Sequence, residues 1–326
     1  MSGANPDRRR VLKRILAAGA VLGGAGLAAG VAVLSRGRWR EPRVAALPEA
    51  RGVEPDPRFP AVAVARGGPE ASVRAAVAAV GGIARFVRPG ETVLVKPNMG
   101  WDRTPAQGAN TDPRVVAEVV RLCLEEARAA RVVVADVPVH DAERSRERSG
   151  IGEAARGAGA EVLVPPGPGF VLARLGGVVL DTWEVFAPMM GADRLINVPV
   201  VKDHALTRLT CGLKNGYGLL GGTRARLHQQ INQSIVDIAT AFRPTLTVVD
   251  ATRVMMRNGP TGGRLDDVAP VGAVAAGTDV VALDAWGATL LGADPERIPH
   301  VSLAESRGLG RIREGTAPRE EIHAGP

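Results

Sequence analysis

The stretch LINVPVVKDH, residues 195–204, decides how this chain folds. Its seven almost unbroken apolar residues read as a strand covered on both faces, because a half-exposed strand would alternate apolar with polar. A lysine, an aspartate and a histidine follow at once. The same plan recurs in AVAVA (61–65), TVLVK (92–96), VVVAD (132–136), EVLVP (161–165) and LTVVD (246–250). Helical patterns separate these runs. Pro113 to Ala130 opens with Asp112 as N-cap and a proline at the first helical position, and Leu227, Ile231, Ile235, Ile238 and Phe242 make one apolar stripe. Such alternation predicts an α/β fold, a mainly parallel sheet with helices on both faces. Phe170 to Val185 breaks the rhythm and reads as a small hairpin insertion.

Polar residues gather where the apolar runs stop. Lys96 and Asn98 follow TVLV, Asp136 follows VVVA, Lys202, Asp203 and His204 follow VPVV, and Asp250 follows LTVV. If the strands are parallel, these groups line one carboxyl edge, where open α/β sheets place their ligand crevice. Asp136 and Asp250 taken singly serve equally well as turn formers or helix caps.

Lysine is scarce here. Of 41 basic side chains only four are lysine: Lys13 near the start, and Lys96, Lys202 and Lys214 in the short unusual segments VLVKPN, VPVVKDH and GLKNGYG. Arginine is a planar fork that stays charged, whereas lysine is a compact point charge whose pKa burial can depress. The three inner lysines are therefore candidate functional groups, set against the ordinary expectation that a lysine is a solvated surface charge.

The segment LTCGLKNGYGLLGG (209–222) adds glycine to the pattern. Glycines such as Gly216 and Gly218 let backbone amides approach a ligand, so an anion cradle with Thr210, Lys214 and Asn215 is one reading, and tight packing is the other. The spacing is neither a Walker loop nor a dinucleotide fingerprint. His204 stands two residues after Lys202, on the same side of an extended strand, and is the candidate acid, base or metal ligand. Asp284 falls on the apolar stripe of a helix from Thr278 to Leu291, where a buried carboxylate needs a cation or metal partner. With His204, the carboxylates Asp136, Asp250 and Asp284 would suffice to hold a divalent metal.

Residues 1–43 contain nine Lys/Arg and two Asp/Glu, which accounts for the whole chain's net charge of +7. The remainder is formally neutral and the chain has only ten aromatic residues, which argues against nucleic acid as a partner. Arg8-Arg9-Arg10-Val11-Leu12-Lys13 fits the twin-arginine export pattern, and twenty uncharged residues follow, twelve of them glycine or alanine. Residues 1–34 thus read as an export signal or membrane tether, 35–58 as a linker and 59–326 as a single α/β domain. The expected location is extracytoplasmic, on the periplasmic side, with the twin-arginine machinery as a partner. An ordinary N-terminal membrane helix is the alternative for the leader. Cys123 and Cys211 are too few for a four-cysteine zinc site or an iron-sulfur cluster.

Taken in order, KPN at Lys96 to Asn98, Thr111-Asp112-Pro113, NVPVVKDH from Asn197, TCGLKNGYGLL from Thr210, VVDA from Val248 and DVVALDAWGATLLG from Asp279 resemble the family named domain of unknown function 362, over residues 61 to 310. The family name defines no reaction. The resemblance implies a ferredoxin-like cluster in some relatives, but Cys-x-x-Cys is missing, so no iron-sulfur cluster is expected from this chain alone. The resulting expectation is an exported enzyme acting on a small anionic substrate: Lys96, Lys202 and Lys214 bind its charge, Asn98, Thr210, Asn215 and the glycines cradle it, and His204 handles a proton. The alternative is a non-catalytic accessory protein for an exported redox partner.

Overall fold

In chain order the strands are β1 (Ala45–Ala46), β2 (Val62–Arg66), β3 (Thr92–Pro97), β4 (Arg131–Ala135), β5 (Glu161–Leu163), β6 (Phe170–Arg174), β7 (Thr182–Phe186), β8 (Arg194–Val198), β9 (Val200–His204), β10 (Arg208–Thr210), β11 (Leu246–Met255), β12 (Val268–Gly277) and β13 (Glu320–His323). The α-helices are α1 (Pro69–Ala79), α2 (Pro113–Arg121), α3 (Ala142–Arg148), α4 (Ile151–Gly157), α5 (Gly212–Asn215), α6 (Ile231–Ala241), α7 (Val280–Leu290), α8 (Pro299–Ser306) and α9 (Ile312–Thr316). The structure, a computed structural model, describes residues 43–48, 52–53, 56–316 and 320–325. The expected twin-arginine signal, residues 1–34, lies outside the described residues.

Five strands run parallel in the order β5, β4, β3, β8, β11. The chain enters at the middle strand, β3, winds outward through β4 and β5, and returns on the other side of β3 with β8 and β11. The winding therefore reverses between β3 and β8, and loops leaving the carboxyl ends of such a pair diverge to open a crevice. Lys96 and Asn197 are paired across that boundary. Beyond β11 the sheet continues with antiparallel β12, then β2 antiparallel to β12, and β13 parallel to β2. The fold is α/β, with a mainly parallel sheet.

Strand alternation divides the core. In β3, Val93 and Val95 pack with Val73 and Val77 of α1 and Val116 and Val120 of α2. Leu94 points the other way, toward Leu195, Leu219 and Phe186. A third cluster places Ile235 of α6 and Val281 and Trp286 of α7 over Val249 and Ala275. Helices thus cover both faces, and each fully buried Val or Leu contributes about 1.5–3 kcal/mol of burial free energy.

Several local readings are corrected. The run 195–201 is two strands, broken at Pro199, which has no N–H for the ladder; its carbonyl instead accepts the Asp250 amide at 2.8 Å. Lys202, Asp203 and His204 consequently lie inside β9, which folds back onto antiparallel β10. The helix expected from Pro113 ends as α-helix at Arg121 and continues as a π turn, Leu122–Glu126. The helix expected from Leu227 begins only at Ile231, after a 3₁₀ stretch. Within the expected linker, Ala45–Ala46 pairs with β6 beside the β6–β7 hairpin.

Candidate functional site

Lys96 closes β3 with its side chain fully buried. Its Nζ lies 3.1 Å from Asp136 Oδ1, donates to Asn215 Oδ1 at 3.3 Å and also donates to the Pro97 carbonyl. An ammonium has three protons, so this one is saturated. Burial lowers the Lys96 pKa, and Asp136 opposes that shift. The other oxygen of Asp136 accepts the Met99 amide at 2.6 Å.

Asparagines connect this pair to the second lysine. Asn215 donates to the Lys96 carbonyl at 3.0 Å and to Asn197 Oδ1 at 2.8 Å, while its own Oδ1 accepts from Asn98 Nδ2 at 3.2 Å. Asn98 Oδ1 in turn accepts from Lys202 Nζ at 3.3 Å. Lys202 also donates to the Ala109 carbonyl and stands 5.7 Å from the Trp101 ring centre. Among the described residues one of its three N–H groups is left without an acceptor. Burial, then the charges of Lys214 and Lys96, holds its pKa well below the usual lysine range.

Lys214 differs from both. Among the described residues it makes no hydrogen bond and no ion pair; its Nζ lies 5.3 Å from the Tyr217 ring centre. Burial, with Arg224 adding to it, lowers its pKa to about 8. It rides on α5, a single turn whose Leu213 amide donates to Asp284 Oδ1 at 3.2 Å.

These groups line one cavity of about 70 Å³, together with Asn98, Thr210 and Arg224. Among the described residues Asp136 is the one carboxylate in its wall. Thr210 Oγ1 is buried and has no hydrogen-bond partner among the described residues. Arg224 is held by the carbonyls of Val137 at 2.7 Å and Pro138 at 2.6 Å. Gly218 belongs to the wall for a steric reason: a Cβ there would collide with Asp136 Oδ1 and stand 2.7 Å from Lys96 Nζ.

Residues 93–289 match the family model described as Domain of unknown function (DUF362). The chain is also 31% identical, over 252 residues, to Thylakoid-associated protein sll1697 of Synechocystis sp., covering 73% of this chain and 75% of that protein. The chain belongs to the DUF362 family. Among solved structures it is similar to the lactate racemase apoprotein from Thermoanaerobacterium thermosaccharolyticum, at 13% identity and a TM-score of 0.37, covering 78% of this chain and 58% of that one.

Not every residue singled out in this DUF362 sequence reaches the cavity. His204 lies near it without lining it: its Nδ1 accepts the amides of Leu206 at 3.2 Å and Thr207 at 3.4 Å, and burial, then Lys214 and Lys202, lowers its pKa to about 3. Its Nδ1 is thus engaged as a turn acceptor, and the imidazole is not part of the cavity wall. Asp250 accepts the Asp112 amide at 2.6 Å and the Thr252 hydroxyl at 2.7 Å, which pins the start of α2. Asp284 holds α5 from behind, with His300 Nε2 at 4.0 Å rather than a lysine. Gly216 makes room for α6, since a Cβ there would stand 2.6 Å from Ile238 Cγ2. The metal expectation does not fit either. Asp136, Asp250 and Asp284 serve three separate networks, and no three His, Cys, Asp or Glu side chains group as metal ligands among the described residues.

Four wall or supporting residues escaped the sequence reading of this family member: Asn197, Trp101, Tyr217 and Arg224. Asn197 interrupts an apolar strand and was detectable on that ground. Arg224 carries no signal among so many arginines, and Trp101 and Tyr217 sit in loops whose direction only the fold sets.

Proposed function

We propose that this DUF362 protein is an enzyme acting on a small anionic molecule, and that the lysine cavity is where the molecule binds. One observation carries the reading: Lys96, Lys202, Lys214 and Arg224 converge on a cavity to whose wall the described residues bring a single carboxylate. Buried charge of one sign is costly unless an opposite charge meets it. An anion offsets that cost. Its recognition groups are the spare N–H of Lys202, the ammonium of Lys214 and the Thr210 hydroxyl. At about 70 Å³ the space suits a compact ligand, since one water needs about 10–15 Å³ of such volume. Near pH 8 a substantial fraction of Lys214 is an uncharged amine, which makes it the group placed to accept a proton.

Thermal unfolding of the folded protein in rising inorganic phosphate, sulfate or malonate tests this reading. A saturable rise in Tm with at least one of these anions, lost in Lys214→Met and weakened in Lys202→Met, is expected. Equal response of wild type and Lys214→Met, or no response to any of the three, overturns it.

The same proposal places the protein outside the cytoplasm, on the strength of Arg8-Arg9 and the uncharged stretch that follows. The thylakoid association in the relative's name accords with a membrane-side location. Changing Arg8 and Arg9 to lysine should retain the protein in the cytoplasm of an expressing cell; unchanged fractionation would refute export by this route.

A further inference from the structure

We infer that the anion is a small 2-oxo acid and that Lys214 forms an imine with its carbonyl carbon. This rests on the anion-site reading and adds the identity of the reacting group. Hydrogen-bond supply divides the three amines. Lys96 spends all three protons on Asp136, Asn215 and Pro97, and Lys202 spends two on Asn98 and Ala109. Lys214 spends none among the described residues. It is the amine that no acceptor among the described residues holds, and so the one whose nitrogen lone pair is available.

The carboxylate, imidazole and thiol groups are committed elsewhere. Asp136 is held by Lys96 and Met99, no histidine among the described residues lines the cavity, and Cys211 is buried next to Gly287 and Asp284. An amine that is desolvated and kept among other cations is the form in which lysine attacks carbonyl compounds. Lys214 has this setting, with Arg224 in the same wall and its Nζ 5.3 Å from the Tyr217 ring centre. A 2-oxo acid fits both halves of the site. Its carboxylate takes the remaining proton of Lys202 and the unpartnered Thr210 hydroxyl, and its adjacent carbonyl carbon then faces Lys214.

The step balances without an oxidant or a metal. The Lys214 lone pair bonds to the carbonyl carbon while the carbon–oxygen π pair moves to oxygen, giving a carbinolamine after proton transfer from nitrogen to oxygen. The second nitrogen proton then leaves with that hydroxyl as water, and the nitrogen pair closes the C=N bond. Amine plus ketone becomes imine plus water.

Lysine scarcity makes the test clean. The folded chain is incubated with pyruvate and with glyoxylate in the presence of cyanoborohydride, which reduces an imine to a stable secondary amine, and adducts are mapped by mass spectrometry. A single adduct at Lys214, suppressed by phosphate and lost in a folded Lys214→Arg variant, is expected. Adducts spread over Lys13, Lys96 and the α-amino group but not Lys214, or no adduct at all, overturn the imine. Phosphate stabilisation that depends on Lys214, found together with no adduct, removes the imine alone and leaves the anion site standing. Absence of both removes the two readings together.

Discussion

Asp136 joins the ends of the neighbouring strands β4 and β3, beside the switch point: one oxygen stands 3.1 Å from Lys96 Nζ, and the other accepts the Met99 amide at 2.6 Å. The carboxylate thus fixes both the charge at the end of β3 and the path of the loop leaving it. In its absence the buried Lys96 and Lys202, the half-buried Lys214 and Arg224 would share the cavity with no opposite charge among the described residues.

Replacing Asp136 with Asn should therefore destabilise the protein by about 3–5 kcal/mol, the usual cost of breaking a buried pair from one side. Adding Lys96→Met should recover part of the loss, since the orphaned ammonium goes with it. Urea unfolding of both single variants and the double variant reads this directly; strictly additive losses would show that the two residues do not act as a pair.

Gly218→Ala tests the wall sterically. The new methyl would collide with Asp136 Oδ1 and crowd Lys96 Nζ, so a stability loss of about 1–3 kcal/mol is expected from overpacking. Phosphate stabilisation should weaken in the same variant. Unchanged phosphate response would mean that Gly218 does not border the bound anion.

A third prediction concerns pH. Burial raises the Asp284 pKa from 3.8 to about 7, against the amides of Leu213 and Gly212 and the Cys211 thiol. Between these values the folded state holds a proton that the unfolded state has released, so this group's contribution to stability falls as pH rises from about 4 to about 7. Asp284→Asn keeps an oxygen acceptor for Leu213 and has no such proton. The variant should gain on wild type across that window, and a pH-independent difference in unfolding free energy would contradict the assignment. His300 lies beside this carboxyl, Nε2 4.0 Å from Asp284, with neither ring nitrogen hydrogen-bonded among the described residues and its pKa lowered to about 3 by burial. The double variant with His300→Gln separates its share.

His204 supplies a negative control with a definite sign. Asn at this position offers an oxygen near the place of Nδ1 and should keep the turn amides of Leu206 and Thr207 bound, whereas His204→Ala loses about 1 kcal/mol per hydrogen bond. Neither change should abolish phosphate binding. Loss of binding in the Asn variant, with the fold intact, would return His204 to the site.

Period and composition made the parallel strands visible, because Val93 to Val95 and Val132 to Val134 are buried on both faces and leave no polar alternation. Lys96, Asn98 and Asp136 were legible for the same reason: parallel strands deliver their ends to one edge. Lys202 reaches the same cavity from inside β9, past the break at Pro199. β12 was not, since VAPVGAVAAG is built of small residues that fit beneath α1 beside β2 and carry little strand signal. Asp250 and His204 show the limit of the strand-end rule. A polar residue at a strand end can turn into the crevice or satisfy backbone amides nearby, and residue type alone does not separate the two. Asp284 was recognisable as buried, but its partners, the α5 amides and His300, depend on how α7 packs against α5 and α8.

The most direct measurement follows the four lysine Nζ signals of protein carrying 15N-labelled lysine side chains while inorganic phosphate is added. The account predicts that Lys96, Lys202 and Lys214 shift together along one saturation curve while Lys13 stays still, and that Lys214→Met flattens the curves of the other two. Independent curves for the three, or shifts no larger than that of Lys13, would contradict a common cavity.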